Sequence, residues 1–151
     1  MDTDRMMEFL TQEGFRPTFA ESGEVRFKYE GGHYAIRSAP GDDQYVAIVY
    51  PNFWPIGSPE EELRALRAAN EAGQLVKVAK IHVLETHHNV WAEAELLVER
   101  PEQFEALFGR TLSILKAGVA KFAELMRTPE PVLDERIALR REEVSRRTHG
   151  N

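Results

Sequence analysis

The longest amphipathic segment of the chain covers residues 102–126. Apolar side chains recur there at steps of three and four residues, which places them on one side of an α-helix. Pro101 suits the first turn, where its missing N–H costs no hydrogen bond, and Pro129 ends the segment. A helix with this stripe needs a sheet or other helices to cover it. The stripe consists of Phe104, Leu107, Phe108, Thr111, Leu115, Val119, Phe122 and Met126.

Alternating apolar and polar positions predict strands in the first third of the chain, after a short helix over residues 3–13. The clearest alternation places Val25, Phe27 and Tyr29 on one face of a strand, with Arg26 and Lys28 on the other. Turns rich in glycine and proline separate the predicted strands, so they should pair as an antiparallel meander. The predicted strands cover residues 15–21, 24–30, 33–38 and 44–50, and prolines predict a loop over residues 51–55.

The second half of the chain begins with a helix start signal. Ser58 and Glu61 have the spacing of a capping box, Pro59 fits the first helical position, and Gly73 predicts the end of this helix. Strands are predicted over residues 75–86 and 90–99, joined by a polar turn, before the long helix. The order of elements predicts an α+β fold, α-β-β-β-α-β-β-α with a possible extra strand, in which helices pack on an antiparallel sheet.

The character of the chain changes after Pro129. Residues 1–128 suit one compact domain, whereas residues 129–151 form a tail of mixed charge with few apolar positions. Acidic residues lead and arginines follow, so we expect a helix. Two interpretations remain for this tail: a solvated appendage, or a helix that docks on a second copy of the protein.

Composition narrows the functional class. The net charge of −6 disfavours nucleic acid as the main partner, because a phosphate backbone attracts a basic surface. There is no cysteine, which excludes disulfides and thiolate metal sites. The N-terminus lacks the pattern of a signal peptide, and no apolar run is long enough to span a membrane. We therefore expect a cytoplasmic protein that does not bind membranes.

Residues 13–56 and 67–83, together with the last predicted strand and the long helix, resemble YbjN-domain proteins. The resemblance covers roughly residues 1–126 and rests on packing and turn patterns. It implies the fold of type III secretion chaperones, which are commonly dimeric and bind extended peptide segments of partner proteins without ATP. YbjN proteins are also provisionally described as sensory-transduction regulators. The resemblance therefore implies a homodimer that binds a protein or peptide.

Titratable residues form two candidate clusters. His82, Glu85, His87 and His88 surround one predicted hairpin, and imidazole suits zinc, but no third ligand follows at a diagnostic spacing. A polar turn is the simpler interpretation. Glu93 and Glu95 share one strand face, about 7 Å apart, which is also typical of a solvated sheet surface. With no phosphate-binding loop or nucleophile motif, we predict no enzyme, no metal and no cofactor.

Aromatic residues are the remaining candidates. Trp91 should be partly exposed on the face of Glu93 and Glu95, and the predicted loop carries Phe53 and Trp54. Such residues can anchor a partner or simply close the end of the core. We assign Trp91, Phe53, Trp54 and Tyr34 as candidate partner-binding residues of a non-enzymatic, chaperone-like or regulatory module. The alternative function is a small-ligand sensor with a pocket between sheet and helices near Trp54.

Overall fold

The structure is a computed structural model that describes residues 2–149, without the side chains of residues 85, 130–133, 148 and 149. This part of the chain forms four α-helices and six β-strands, and a 3-10 turn at Glu85–His87 joins the last two strands. In chain order the elements are α1 Thr3–Gln12, β1 Thr18–Phe19, β2 Val25–Tyr29, β3 Gly32–Ala39, β4 Asp42–Pro55, α2 Pro59–Leu75, β5 Ala79–Leu84, β6 Asn89–Leu97, α3 Pro101–Arg127 and α4 Glu130–His149.

The six strands form one antiparallel sheet in the order β1-β2-β3-β4-β6-β5. Central strand β4 pairs with β3 on one side and with β6 on the other, so the two hairpins of the chain meet along it. β1 and β5 are the edges of the sheet. The predicted α+β fold, with helices packed on an antiparallel sheet, is confirmed.

The core lies between one face of the sheet and helices α1, α2 and α3. Since side chains alternate along a strand, each strand contributes every second residue to this face. α1 and the first half of α3 cover β2, β3 and β4, whereas α2 and the end of α3 cover β6 near Val90. At Gly118, a β-carbon would lie 3.1 Å from that of Ala79, so glycine permits the close approach of α3 to β5.

Three predicted boundaries were wrong. Residues 51–55 are not a loop, because β4 continues to Pro55 through a register shift between Tyr50 and Trp54. This bulge accommodates Pro51, which cannot donate to a ladder, and Asn52 adopts a positive φ of 52°. α2 does not end at Gly73 but runs to Leu75. β5 accordingly begins at Ala79 rather than at residue 75.

The tail residues that the structure describes form helix α4. It returns against α2 of the same chain, where Arg140 forms an ion pair with the buried carboxylate of Glu71. Arg67 and Asp134 make a second pair between these helices at 3.5 Å, and Ile137 packs against the core cluster below α2. The division of the chain at residue 128 remains a prediction.

Candidate binding face of the sheet

The face of the sheet opposite α1, α2 and α3 carries no helix in the described part of the chain. Register defines its rows of side chains. One row runs from Arg26 through Ala35 and Val49 to Glu93, because each of these residues lies directly opposite the next on the adjacent strand. We call this surface the open face. It is where a partner can reach the sheet without displacing the core.

A groove of about 880 Å³ crosses the open face. Ala35 and Val49 are buried although no helix covers them, since larger side chains on both sides of the row rise above these small ones. The groove is within the size range of ligand sites in proteins. Its other lining residues come from the chain before β1 and from β1, β2, β3, β4 and β6, and include Arg16, Arg26, Lys28, His33, Arg37, Pro51, Asn52 and Trp91.

Trp91 forms one wall of this groove and is held in place by the bulge of β4. Its indole Nε1 donates a hydrogen bond of 2.9 Å to Oδ1 of Asn52. Asn52 sits at the positive φ of the bulge, a conformation that asparagine adopts more readily than most residues. The indole is half-buried. A fixed aromatic wall loses little side-chain entropy when a ligand binds against it.

The half of the open face on β5 and β6 is internally neutralised. Glu93, only 9% exposed, accepts from Arg37 at 2.5 Å and lies 2.7 Å from Nε2 of His82. Glu95 accepts from the hydroxyl of Tyr45 at 2.8 Å and pairs with Lys80. These contacts satisfy both carboxylates, which the sequence presented only as a possible pair on a solvated face.

The other half of the open face carries an excess of positive charge. Arg26 pairs with Glu24 at 2.6 Å. Arg16 and Lys28 are exposed, and among the residues that the structure describes no carboxylate lies within ion-pair distance of either. His33 lies directly opposite Lys28 on β3. The positive end of the groove therefore faces Trp91 across the apolar floor.

The four predicted binding residues lie in different places. Trp91 and Tyr34 are both among the residues that line the groove, but the ring of Tyr34 lies in the core, where it is 4% exposed and stacks with Tyr50 at 4.4 Å between ring centroids. Phe53 and Trp54 pack edge-on against Phe122 at 5.4 and 5.7 Å. The ring of Phe122 therefore occupies part of the space near Trp54, where a ligand pocket was expected. The rings of Tyr34, Phe53 and Trp54 thus belong to the aromatic contacts of the core, whereas that of Trp91 lies on the open face.

The histidine cluster also separates. His82 interacts with Glu93 across the strands, whereas His87 lies 2.9 Å from the hydroxyl of its neighbour Thr86. The side chain of Glu85 lies outside the described residues. Within residues 2–149, as far as their side chains are described, no group of three or more histidine, cysteine, aspartate or glutamate residues could hold a metal ion.

Sequence reasoning missed Asn52, Arg16 and the role of Arg37. Asn52 contacts Trp91 because of the bulge in β4, and the sequence did not predict this bulge because Pro51 and Pro55 indicated a loop. The sequence did contain a signal for the positively charged end of the groove. Alternation assigned Arg26 and Lys28 to the outer side of one strand, and the same two-residue period places His33 and Arg37 on the outer side of the following strand.

The arrangement places this protein in the class of α+β folds that pack helices on one face of an antiparallel sheet, and here the other face carries a groove. This fold is that of YbjN. The crystal structure of YbjN from E. coli, provisionally described as a transcription regulator, matches with a TM-score of 0.61 and 13% sequence identity. The match covers 82% of this chain and 93% of that one. The predicted YbjN-like fold is confirmed, and at this identity the likeness concerns the fold alone.

A second solved structure is an uncharacterized protein from Methanothermobacter thermautotrophicus, with a TM-score of 0.49 and 16% identity. That match covers 90% of this chain and 99% of the other. No protein-family model and no curated protein matches the sequence. Among the described helices, none combines the length and apolar character needed to cross a membrane.

Proposed function

We propose that this protein is a non-enzymatic binding module, chaperone-like or regulatory, that holds a segment of a partner protein in the groove of the open face. The observation that carries the proposal is Trp91, fixed by Asn52 beside an uncovered apolar floor. Buried floor residues and a rigid aromatic wall are typical of the anchor pocket of a peptide site.

The titratable groups of the open face support binding rather than catalysis. Glu93 and Glu95 are each engaged by two neighbours, so neither carboxylate is presented to the groove as a free base. A catalytic acid or base needs hydrogen-bond reach to a bound substrate. The proposal therefore assigns Glu93 to holding Arg37, which lines the groove, in place.

Replacing Trp91 by alanine should weaken peptide binding by about 2 kcal/mol or more, as expected for an aromatic anchor. The ligands are obtained by selecting a randomised peptide library on the immobilised wild-type protein. Affinities are then measured by fluorescence anisotropy of the selected peptides carrying a dye label, which reports binding both to wild type and to the variant that lacks Trp91.

The matched control is Leu97→Ala, which removes an apolar side chain from the same face of β6 that is 79% exposed and lies outside the groove. This control should bind as wild type does, and both variants should melt as wild type does. Selected peptides that bind Trp91→Ala as tightly as wild type would contradict the proposal.

The proposed module acts as a homodimer. Leu63 and Leu66 lie one turn apart on α2 and are exposed, and edge strand β5 runs next to α2. Exposed leucines beside a free strand edge favour self-association. We expect light scattering to give the mass of a dimer for wild type and of a monomer for Leu66→Glu. Leu139→Glu, at an exposed leucine of α4, should remain dimeric. A monomeric wild type would contradict this expectation.

A second candidate function is the regulation of the protein by a small ligand. One observation favours it: a groove of about 670 Å³ between α2 and α4, lined by polar side chains that include Asn70, Gln74 and Arg141. A ligand there would raise the melting temperature through contacts to α4. Such a ligand should stabilise Trp91→Ala as much as wild type, which distinguishes this function from peptide binding.

A further inference from the structure

We infer that the segment held in the groove is acidic and extended, with carboxylates about four residues from an apolar side chain that packs on Trp91. This inference rests on the proposed function and adds the chemistry of the partner to it. It follows from how charge is distributed over the open face and from the distance between the two ends of the groove.

Part of the positive charge at the β2 end of the groove has no counterpart among the residues that the structure describes. The chain as a whole has a net charge of −6, yet four fixed cations and a single carboxylate line the groove. Two of these cations are already paired, Arg26 with Glu24 and Arg37 with Glu93. That leaves Arg16 and Lys28, for which no ion-pair partner exists among the described residues. Their free charge favours an anionic partner.

The positions of Lys28 and Trp91 set a spacing. Strand order places β2 and β6 three strand intervals apart, through β3 and β4. With strands about 4.8 Å apart, the two ends of the groove are separated by roughly 14 Å. An extended chain advances about 3.3 Å per residue, so a segment that crosses the strands covers this distance with about four residues. Its acidic end meets Arg16 and Lys28, and its apolar end meets Trp91.

A peptide fits this surface better than a nucleic acid does. Of the four cations that line the groove, only Arg16 and Lys28 have no ion-pair partner among the described residues, so a phosphate backbone running the length of the groove would find few free cations. Phe15, Phe27 and Tyr34 also line the groove, but their rings pack in the core, which leaves Trp91 as the stacking ring among the described lining residues. Single-stranded nucleic acid needs a series of such rings. The apolar floor of Ala35 and Val49 suits aliphatic side chains of a peptide.

The test compares peptide selections on two charge-reversed proteins. The randomised library is selected in parallel on wild type, on Arg16→Glu/Lys28→Glu and on Arg110→Glu/Lys77→Glu. The last variant changes net charge equally at exposed positions outside the groove. Wild type and the control should enrich peptides with aspartate or glutamate about four residues from an apolar residue. The affinity of these peptides for Arg16→Glu/Lys28→Glu should be about tenfold or more below their affinity for wild type, and this difference should become smaller at high salt.

The outcomes separate the inference from the proposed function. Peptides that need Trp91 but are neutral or basic, or that bind Arg16→Glu/Lys28→Glu as tightly as wild type, would overturn the acidic segment and leave peptide binding intact. A selection that enriches no peptide at all would overturn both. A fluorescein-labelled single-stranded oligonucleotide serves as the remaining probe. Binding of that probe with higher affinity than any selected peptide, lost in Arg16→Glu/Lys28→Glu, would assign the surface to nucleic acid instead.

Discussion

Replacing Phe122 by alanine is expected to lower the free energy of unfolding by about 3–5 kcal/mol, because it leaves a cavity where α3 meets the bulged end of β4. Phe122 is fully buried, and its ring contacts those of Phe53 and Trp54 edge-on. Edge-to-face contacts of this kind add to the energy of burial. Urea denaturation followed by far-UV circular dichroism measures the loss as a lower midpoint at unchanged slope.

Phe19→Ala is the matched control, since this phenylalanine is 57% exposed on edge strand β1 and should lose less than about 1 kcal/mol. The bulge that Phe122 supports also carries Asn52, which orients Trp91. The Phe122→Ala protein should therefore show a more mobile Trp91 by fluorescence anisotropy in the Trp54→Phe background. A loss of stability no larger than that of Phe19→Ala would mean that the packing of α3 on the sheet does not depend on the ring of Phe122.

The fold was predictable where the hydrophobic period was regular. Val25, Phe27 and Tyr29 alternate without interruption, and the strand they predict is β2. The signal failed where two conformations are locally similar in energy. Pro51 and Pro55 argued for a loop, but a central strand can pass through such a segment when a bulge removes the need for donors there. Gly73 likewise does not end α2, because the packing of Ala72 in the core outweighs the low helix propensity of glycine.

The candidate site was only partly predictable, because its key contacts join residues far apart in sequence. Alternation alone placed Trp91 on the outer side of its strand. Its hydrogen bond to Asn52 spans 39 positions, and the ion pair of Arg37 with Glu93 spans 56. Neither can be read from local spacing. The prediction for Tyr34 failed for another reason. Alternation shows which residues of a strand share a face, but an aromatic side chain suits either face, so its identity does not tell whether it points to the core or to the surface.

Tyr34→Ala should therefore act on stability and not on binding. We expect the free energy of unfolding to fall by about 3–4 kcal/mol, because the ring stacks with Tyr50 at 4.4 Å and with Phe27 at 5.7 Å inside the core. Urea denaturation measures this loss. At low temperature, where the variant remains folded, it should bind selected peptides as wild type does. A variant that is as stable as wild type but no longer binds would place Tyr34 in the binding site after all.

Tyr34→Phe keeps the ring and isolates the hydroxyl group. Burial raises the pKa of Tyr34 to about 12, because the phenolate would lose its hydration inside the core. A group whose pKa is raised on folding stabilises the protein below the pKa of the unfolded state, about 10, and this contribution disappears as pH rises through 12. Between these pH values wild type should lose on the order of 2 kcal/mol more stability than Tyr34→Phe. Parallel pH profiles of the two proteins would show that the hydroxyl of Tyr34 reaches water.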